Sequence, residues 1–164
     1  LSQPLQQRSR EDMCESSYDV IIVSVGVNDI TSMTSPAEWR ANVTGLLRRI
    51  VDHSPGAVIA VAGIPPLGAF PLLPQPLRYA AGQRGLAFDR QLKRVVGTFS
   101  QALHVPVQFT PCATRFSADG FHPSPSSYSV FARVFAERIA DRLLAGRCAP
   151  ELPNAVRYEP EALG

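Results

Sequence analysis

The chain reads as one α/β domain built on a parallel sheet between layers of helix, and three observations predict this. Apolar runs rich in Val, Ile and Ala alternate with stretches of helical periodicity. The runs are near-continuous rather than alternating, as in strands covered on both faces. At 164 residues, with 45% hydrophobic and 18% charged content, the chain is long enough for one core and apolar enough to fill it.

Residues 1–17 are polar, hold no strand-like run and are expected to be an N-terminal remnant, a helix fragment or a ragged end; the domain itself is expected over 18–146. Its first strand is Tyr18 to Val25. Ser35-Pro36-Ala37-Glu38 then starts a helix. Ser35 caps, Pro36 sits where a missing N–H costs nothing, and Glu38 closes the capping box. Trp39, Val43, Leu46 or Leu47, and Ile50 recur at helical spacing until Ser54-Pro55-Gly56 stops it. Ala57 to Gly63 is the second strand, followed by a Pro-rich loop.

Arg78 to Leu103 carries Phe88, Leu92, Val95, Phe99 and Leu103 at intervals of three and four, so most of it is predicted helical. Gly82 and Gly85 weaken its first turns. Val105 to Phe109 is the third strand. After Ser124, Pro125 opens a last helix with Tyr128, Phe131, Phe135, Ile139 and Leu143 as its apolar stripe, closed by Gly146. Residues 147–164, rich in Pro and Glu, are expected to form a flexible tail.

The formal charge of +2 is too small to argue for a nucleic-acid partner, and Arg48-Arg49 and Lys93-Arg94 read as solvated helix sides. Cys14, Cys112 and Cys148 are odd in number and far apart, against a disulfide framework and mildly for a reducing, cytoplasmic compartment. Cys112 reads as a small buried or half-buried thiol. The compartment stays open because the chain begins with Leu1. No apolar stretch reaches the ~20 residues of a membrane helix. No group of side chains has metal-ligand spacing, and nothing calls for a cofactor.

Ligands of such sheets sit outside the carboxyl ends of the strands. Gly26-Val27-Asn28-Asp29 follows the first strand, and Asp119-Gly120-Phe121-His122-Pro123-Ser124 precedes the last helix. The fold therefore brings both motifs to one edge. His122 can take a proton near neutral pH with Asp119 fixing its tautomer, or it can simply sit in a capping turn. Asn28 can donate its side-chain amide to an oxyanion, or serve as a post-strand turn residue. Asp29 braces its loop. His53 suits a helix end, and His104 begins a turn before a strand.

Together these two motifs resemble the third and fifth sequence blocks of the SGNH (GDSL-type) hydrolases in order, separation and flanking strands, over residues 18–146. The resemblance implies a flavodoxin-like three-layer α/β/α fold and hydrolysis of carboxylic esters through an acyl-serine intermediate. The substrate it implies is a small-molecule ester or lipid-like acyl compound. It also implies that Asn28 is an oxyanion donor, His122 the general base and Asp119 its orienting partner, with Gly26 a further candidate substrate contact.

The family's first block, a Gly-Asp-Ser carrying the nucleophile, has no match here, and residues 1–17 lack the glycine of the second block. Ser24 is expected to face the sheet's packing. Ser117, Ser124, Ser126 and Ser127 have loop or cap roles. The nucleophile is therefore expected upstream, on a first strand that would pair with Tyr18–Val25 in the order 2-1-3-4-5. Roughly 50 further residues would carry it, and the 164 residues alone are expected to be inactive or poorly soluble. The alternative is a catalytically inactive, ligand-binding member.

The loop Ile64 to Leu77 leaves from the same edge. Its Phe70, Leu72, Leu73 and Leu77 either line an acyl pocket that favours hydrophobic esters or cover the end of the sheet.

Overall fold

The first two apolar runs form strands shorter than their extent in sequence, because a strand lasts only as long as its neighbour pairs with it. The computed structural model describes residues 18–107 and 116–147. In chain order these form β1 (Val20–Val23), α1 (Val27–Thr31), α2 (Pro36–His53), β2 (Val58–Ala62), a 3-10 turn (Leu67–Ala69), α3 (Leu77–Val96), β3 (Ala102–Val105) and α4 (Pro125–Arg147). The strands make a parallel sheet in the order β1-β2-β3, with Val20 opposite Val58 and Ile59 opposite Ala102.

Helix α2 begins as its sequence dictates: the Ser35 hydroxyl accepts the Glu38 N–H at 3.2 Å, with Pro36 in the first turn. Its Trp39, Val43 and Leu47 are buried with Phe88, Leu92 and Val95 of α3 against Val23, Ile59 and Val61. Trp39 stacks on Phe88 with ring centroids 5.3 Å apart. Ile22 and Ala62 turn to the opposite face, where Phe131 and Phe135 of α4 lie. Helices thus flank the sheet on both faces, giving three layers. The α4 stripe is shallower than its pattern predicts: Phe131, Phe135 and Ile139 are half-buried, while Tyr128 and Leu143 are exposed.

One strand is corrected. The third strand is Ala102–Val105, not Val105–Phe109, because α3 stops at Val96 and Gly97 caps it. Phe99 then turns back, its N–H on Val96 O at 3.0 Å, and its carbonyl takes the Ala102 N–H at 3.1 Å to launch the strand. Gly82 and Gly85 both lie within α3. A Cβ on Gly82 would stand 2.9 Å from Gly68 Cα, so glycine there lets the 3-10 turn lie directly on the helix.

Arg147 is the last residue of α4 rather than the first of a tail. Residues 1–17 and 148–164, the three cysteines, and positions 108 and 109 of the expected third strand lie outside the described residues. Among the described residues, no helix is long and apolar enough to cross a membrane, and no cluster could hold a metal ion.

Candidate active site

The chain leaves β1 and turns sharply at Gly26, whose φ is +114°. A side chain there would be strained, and its Cβ would meet Ile64 Cδ1 at 2.5 Å and Trp39 at 2.8 Å. Gly26 is thus buried against the core, which starts the short helix α1 at the strand's carboxyl end. Asn28 lies in its first turn, exposed, with its side-chain amide making no hydrogen bond to another described residue. Its carbonyl is occupied, accepting Ser32 N at 2.8 Å and the Thr31 and Ser32 hydroxyls. The Asp29 carboxylate accepts the Thr34 hydroxyl at 3.4 Å rather than a backbone N–H, and its carbonyl takes Thr34 N at 3.1 Å.

The second motif is a tight loop closed on itself. Ser117 N–H donates to His122 O at 2.8 Å, and the Ser117 hydroxyl to Pro123 O at 3.0 Å. Gly120, with φ +67°, makes the turn between them. Asp119 Oδ1 accepts the N–H groups of Phe121 and His122, each at 3.0 Å. That fixes the carboxylate, whose Oδ2 lies 2.5 Å from His122 Nδ1. The hydrogen bond with the His122 side chain, followed by those two backbone N–H groups, holds the Asp119 carboxyl down at about 2. A carboxylate ionised at neutral pH accepts the hydrogen bond from Nδ1–H, which keeps the proton on Nδ1 and leaves His122 Nε2 as the proton acceptor.

Asn28 and His122 line one cavity of about 480 Å³ at the carboxyl edge of the sheet. Its walls are mostly apolar: Ile22, Val25, Phe121, Tyr128, Phe131 and Phe135 among them. Gly26 and Phe70 also line it, Phe70 from a position only 3% exposed. Leu72 and Leu73 are not among its described lining residues, and Leu72 is 56% exposed. The apolar wall thus comes mainly from the end of β1 and from α4. Spacing gave a stripe on α4 but not which way it faces.

Ser24 is corrected too. It stands past the end of β1, exposed, and lines this same cavity. Among the described residues, no serine hydroxyl is hydrogen-bonded to His122. At the start of α4 the Ser124 hydroxyl meets those of Ser126 and Ser127 and accepts the Ser127 N–H, as a cap does. His104 lies within β3 rather than in a turn, and its Nε2 lies 2.9 Å from Asp89 Oδ1. His53 ends α2, as expected.

Comparison with known proteins places the chain in a family. The model of the GDSL-like lipase/acylhydrolase family matches residues 2–130, and the chain belongs to that family. A GDSL-like esterase of Mycobacterium tuberculosis is 30% identical over 156 residues, covering 87% of this chain and 48% of the relative. The chain thus spans about half the length of that protein. Among solved structures, a family two carbohydrate esterase from Clostridium thermocellum matches with a TM-score of 0.59 at 18% identity, covering 80% of this chain and 38% of its own. The acetylxylan esterase Axe2 from Geobacillus stearothermophilus matches with a TM-score of 0.54 at 19% identity, covering 82% and 65% respectively. At such identities these two establish the fold.

Proposed function

We propose that these residues form the proton-transfer and oxyanion half of a carboxylic ester hydrolase working through an acyl-serine intermediate. The observation that carries this reading is the Asp119–His122 pair, 2.5 Å between Oδ2 and Nδ1, opening with Asn28 onto one cavity. A turn histidine needs no carboxylate on Nδ1, no vacant Nε2 and no amide lining the same cavity.

The serine acts from polypeptide beyond these residues. Among the described residues β1 is paired only with β2. Tyr18 and Ile22 stand exposed at its other side, over an apolar groove of about 810 Å³ that a further strand would fill. In the reaction, His122 Nε2 takes the serine hydroxyl proton as the oxygen bonds to the ester carbonyl carbon. The carbonyl oxygen becomes an oxyanion and accepts from the Asn28 amide. Collapse breaks the bond to the alcohol, which leaves with the proton from His122. Water repeats the cycle on the acyl-serine. The apolar cavity favours hydrophobic acyl groups.

A second reading, a ligand-binding member without turnover, is favoured by the lack of a serine on His122 among the described residues. A fluorophosphonate probe separates the two. It loses fluoride as phosphorus bonds to an activated serine, and peptide mass spectrometry of the full natural protein locates the adduct. The proposal expects one labelled serine outside this sequence, abolished by His122→Ala. Label on Ser24 would relocate the nucleophile, and a folded protein without label would favour the binding reading.

A further inference from the structure

Two arginines of helix α3 bind backbone carbonyls, one beside the Asn28 motif and one in the segment that meets the histidine loop. Arg84 Nε donates to Ile30 O at 3.1 Å and its Nη2 donates to Thr34 O, so one guanidinium spans the end of α1 and the loop after it. Its charged face lies over the Phe88 ring, 4.8 Å from the centroid, which fixes the plane of the fork. Asn28 belongs to that same five-residue helix. A helix this short does not hold itself in place.

Arg78, six residues earlier, repeats the device on the other half. Its Nε donates to Leu73 O at 2.6 Å and its Nη2 to Pro71 O at 3.1 Å. Leu72, held between those carbonyls, donates its N–H to Gly120 O at 3.3 Å, inside the histidine loop. Phe70, next in the same segment, meets Phe116 at 5.1 Å and Phe121 at 5.4 Å, and Phe121 meets the His122 ring at 5.4 Å. Among the described residues neither arginine forms an ion pair with a carboxylate. Bridging two carbonyls needs a planar fork with fixed N–H directions, which a lysine lacks.

We propose that Arg84 and Arg78 are positioning residues, Arg84 placing Asn28 and Arg78 placing the Asp119–His122 loop through residues 70–73. The role rests on the esterase reading, but the clamps are testable apart from it.

Hydrogen exchange on the full natural protein tests the clamps directly. Arg84→Ala should speed exchange across 27–34 and leave 116–123 unchanged; Arg78→Ala should speed 67–73 and 116–123 and leave 27–34 unchanged. Exchange in Arg78→Ala that rises at 67–73 but stops short of 116–123 would overturn the Arg78 link.

Ester kinetics test the role. Arg84→Ala should lower kcat about 10- to 100-fold with KM within about two-fold. Arg84→Lys, which keeps charge and stem, should not restore it. In an Asn28→Ala background, Arg84→Ala should cost less than about two-fold more. Independent, multiplying losses in that double variant would overturn positioning through Asn28. A wild type silent on every ester would defeat the esterase reading, while exchange would still decide the clamps.

Discussion

His104 Nε2 lies 2.9 Å from Asp89 Oδ1, a second histidine–aspartate pair whose surroundings differ from those of His122 and Asp119. The His104 and Asp89 side chains are 9% and 25% exposed, against 65% and 47% for His122 and Asp119. Asp89 Oδ1 also accepts the Ile64 N–H at 2.9 Å, tying α3 and β3 to the chain leaving β2. His104→Ala is therefore expected to cost about 1–3 kcal/mol of stability, from a mostly buried carboxylate that loses a partner, with little change in kcat. His122→Ala should do the reverse. Urea denaturation beside ester kinetics separates them.

The Asp119 carboxyl sits at about 2, below its ordinary 3.8. A group lowered on folding contributes stability that is fully present above about pH 4 and is lost as pH falls through about 2. Carbon-13 titration of the Asp119 carboxyl should show that low midpoint. Between pH 5 and 9 the rate profile should show no ionisation from Asp119, since it stays charged wherever an imidazole titrates. Asp119→Asn should lower kcat by about 10²- to 10⁴-fold, through loss of the tautomer lock.

Two glycines of α3 should respond oppositely to the same change. A Cβ at Gly85 meets nothing nearer than 3.5 Å, so Gly85→Ala should stabilise by about 0.5–1 kcal/mol. At Gly82 the new Cβ would stand 2.9 Å from backbone, so Gly82→Ala should destabilise despite the better helix former. Thermal melts of both variants check the pair.

The cavity walls predict where acyl preference resides. Phe131→Ala and Phe135→Ala should raise KM for medium-chain esters about 10-fold and leave acetyl esters little changed. Leu72→Ala, whose side chain is exposed and lies outside the cavity lining, should stay within about two-fold on both. Equal effects from all three would detach chain-length preference from this cavity.

Much of this was legible in the sequence, for identifiable reasons. Apolar runs gave β1 and β2, and Ser35-Pro36-Ala37-Glu38 gave the start of α2, because both are local patterns. The end of α3 was not, since Phe99 and Leu103 continue a helical spacing that the turn at Gly97 interrupts. Asp119 and His122 were visible because three residues of a tight turn bring them together. The arginine clamps were not. A guanidinium on Ile30 O from Arg84 joins residues 54 apart and recognises backbone, which every residue carries. Ser24 was misplaced because two residues of the apolar run lie beyond the strand's end.

Hydrolysis of short- and medium-chain p-nitrophenyl esters, by the 164-residue chain and by the full natural protein, tests the central claim most directly. The account predicts turnover by the full protein, retained in Ser24→Ala, lowered about 10²- to 10³-fold in Asn28→Ala and lost in His122→Ala. It predicts none from the 164 residues alone. Turnover by the shorter chain that vanishes in Ser24→Ala, or a folded full protein whose activity ignores His122, would contradict it.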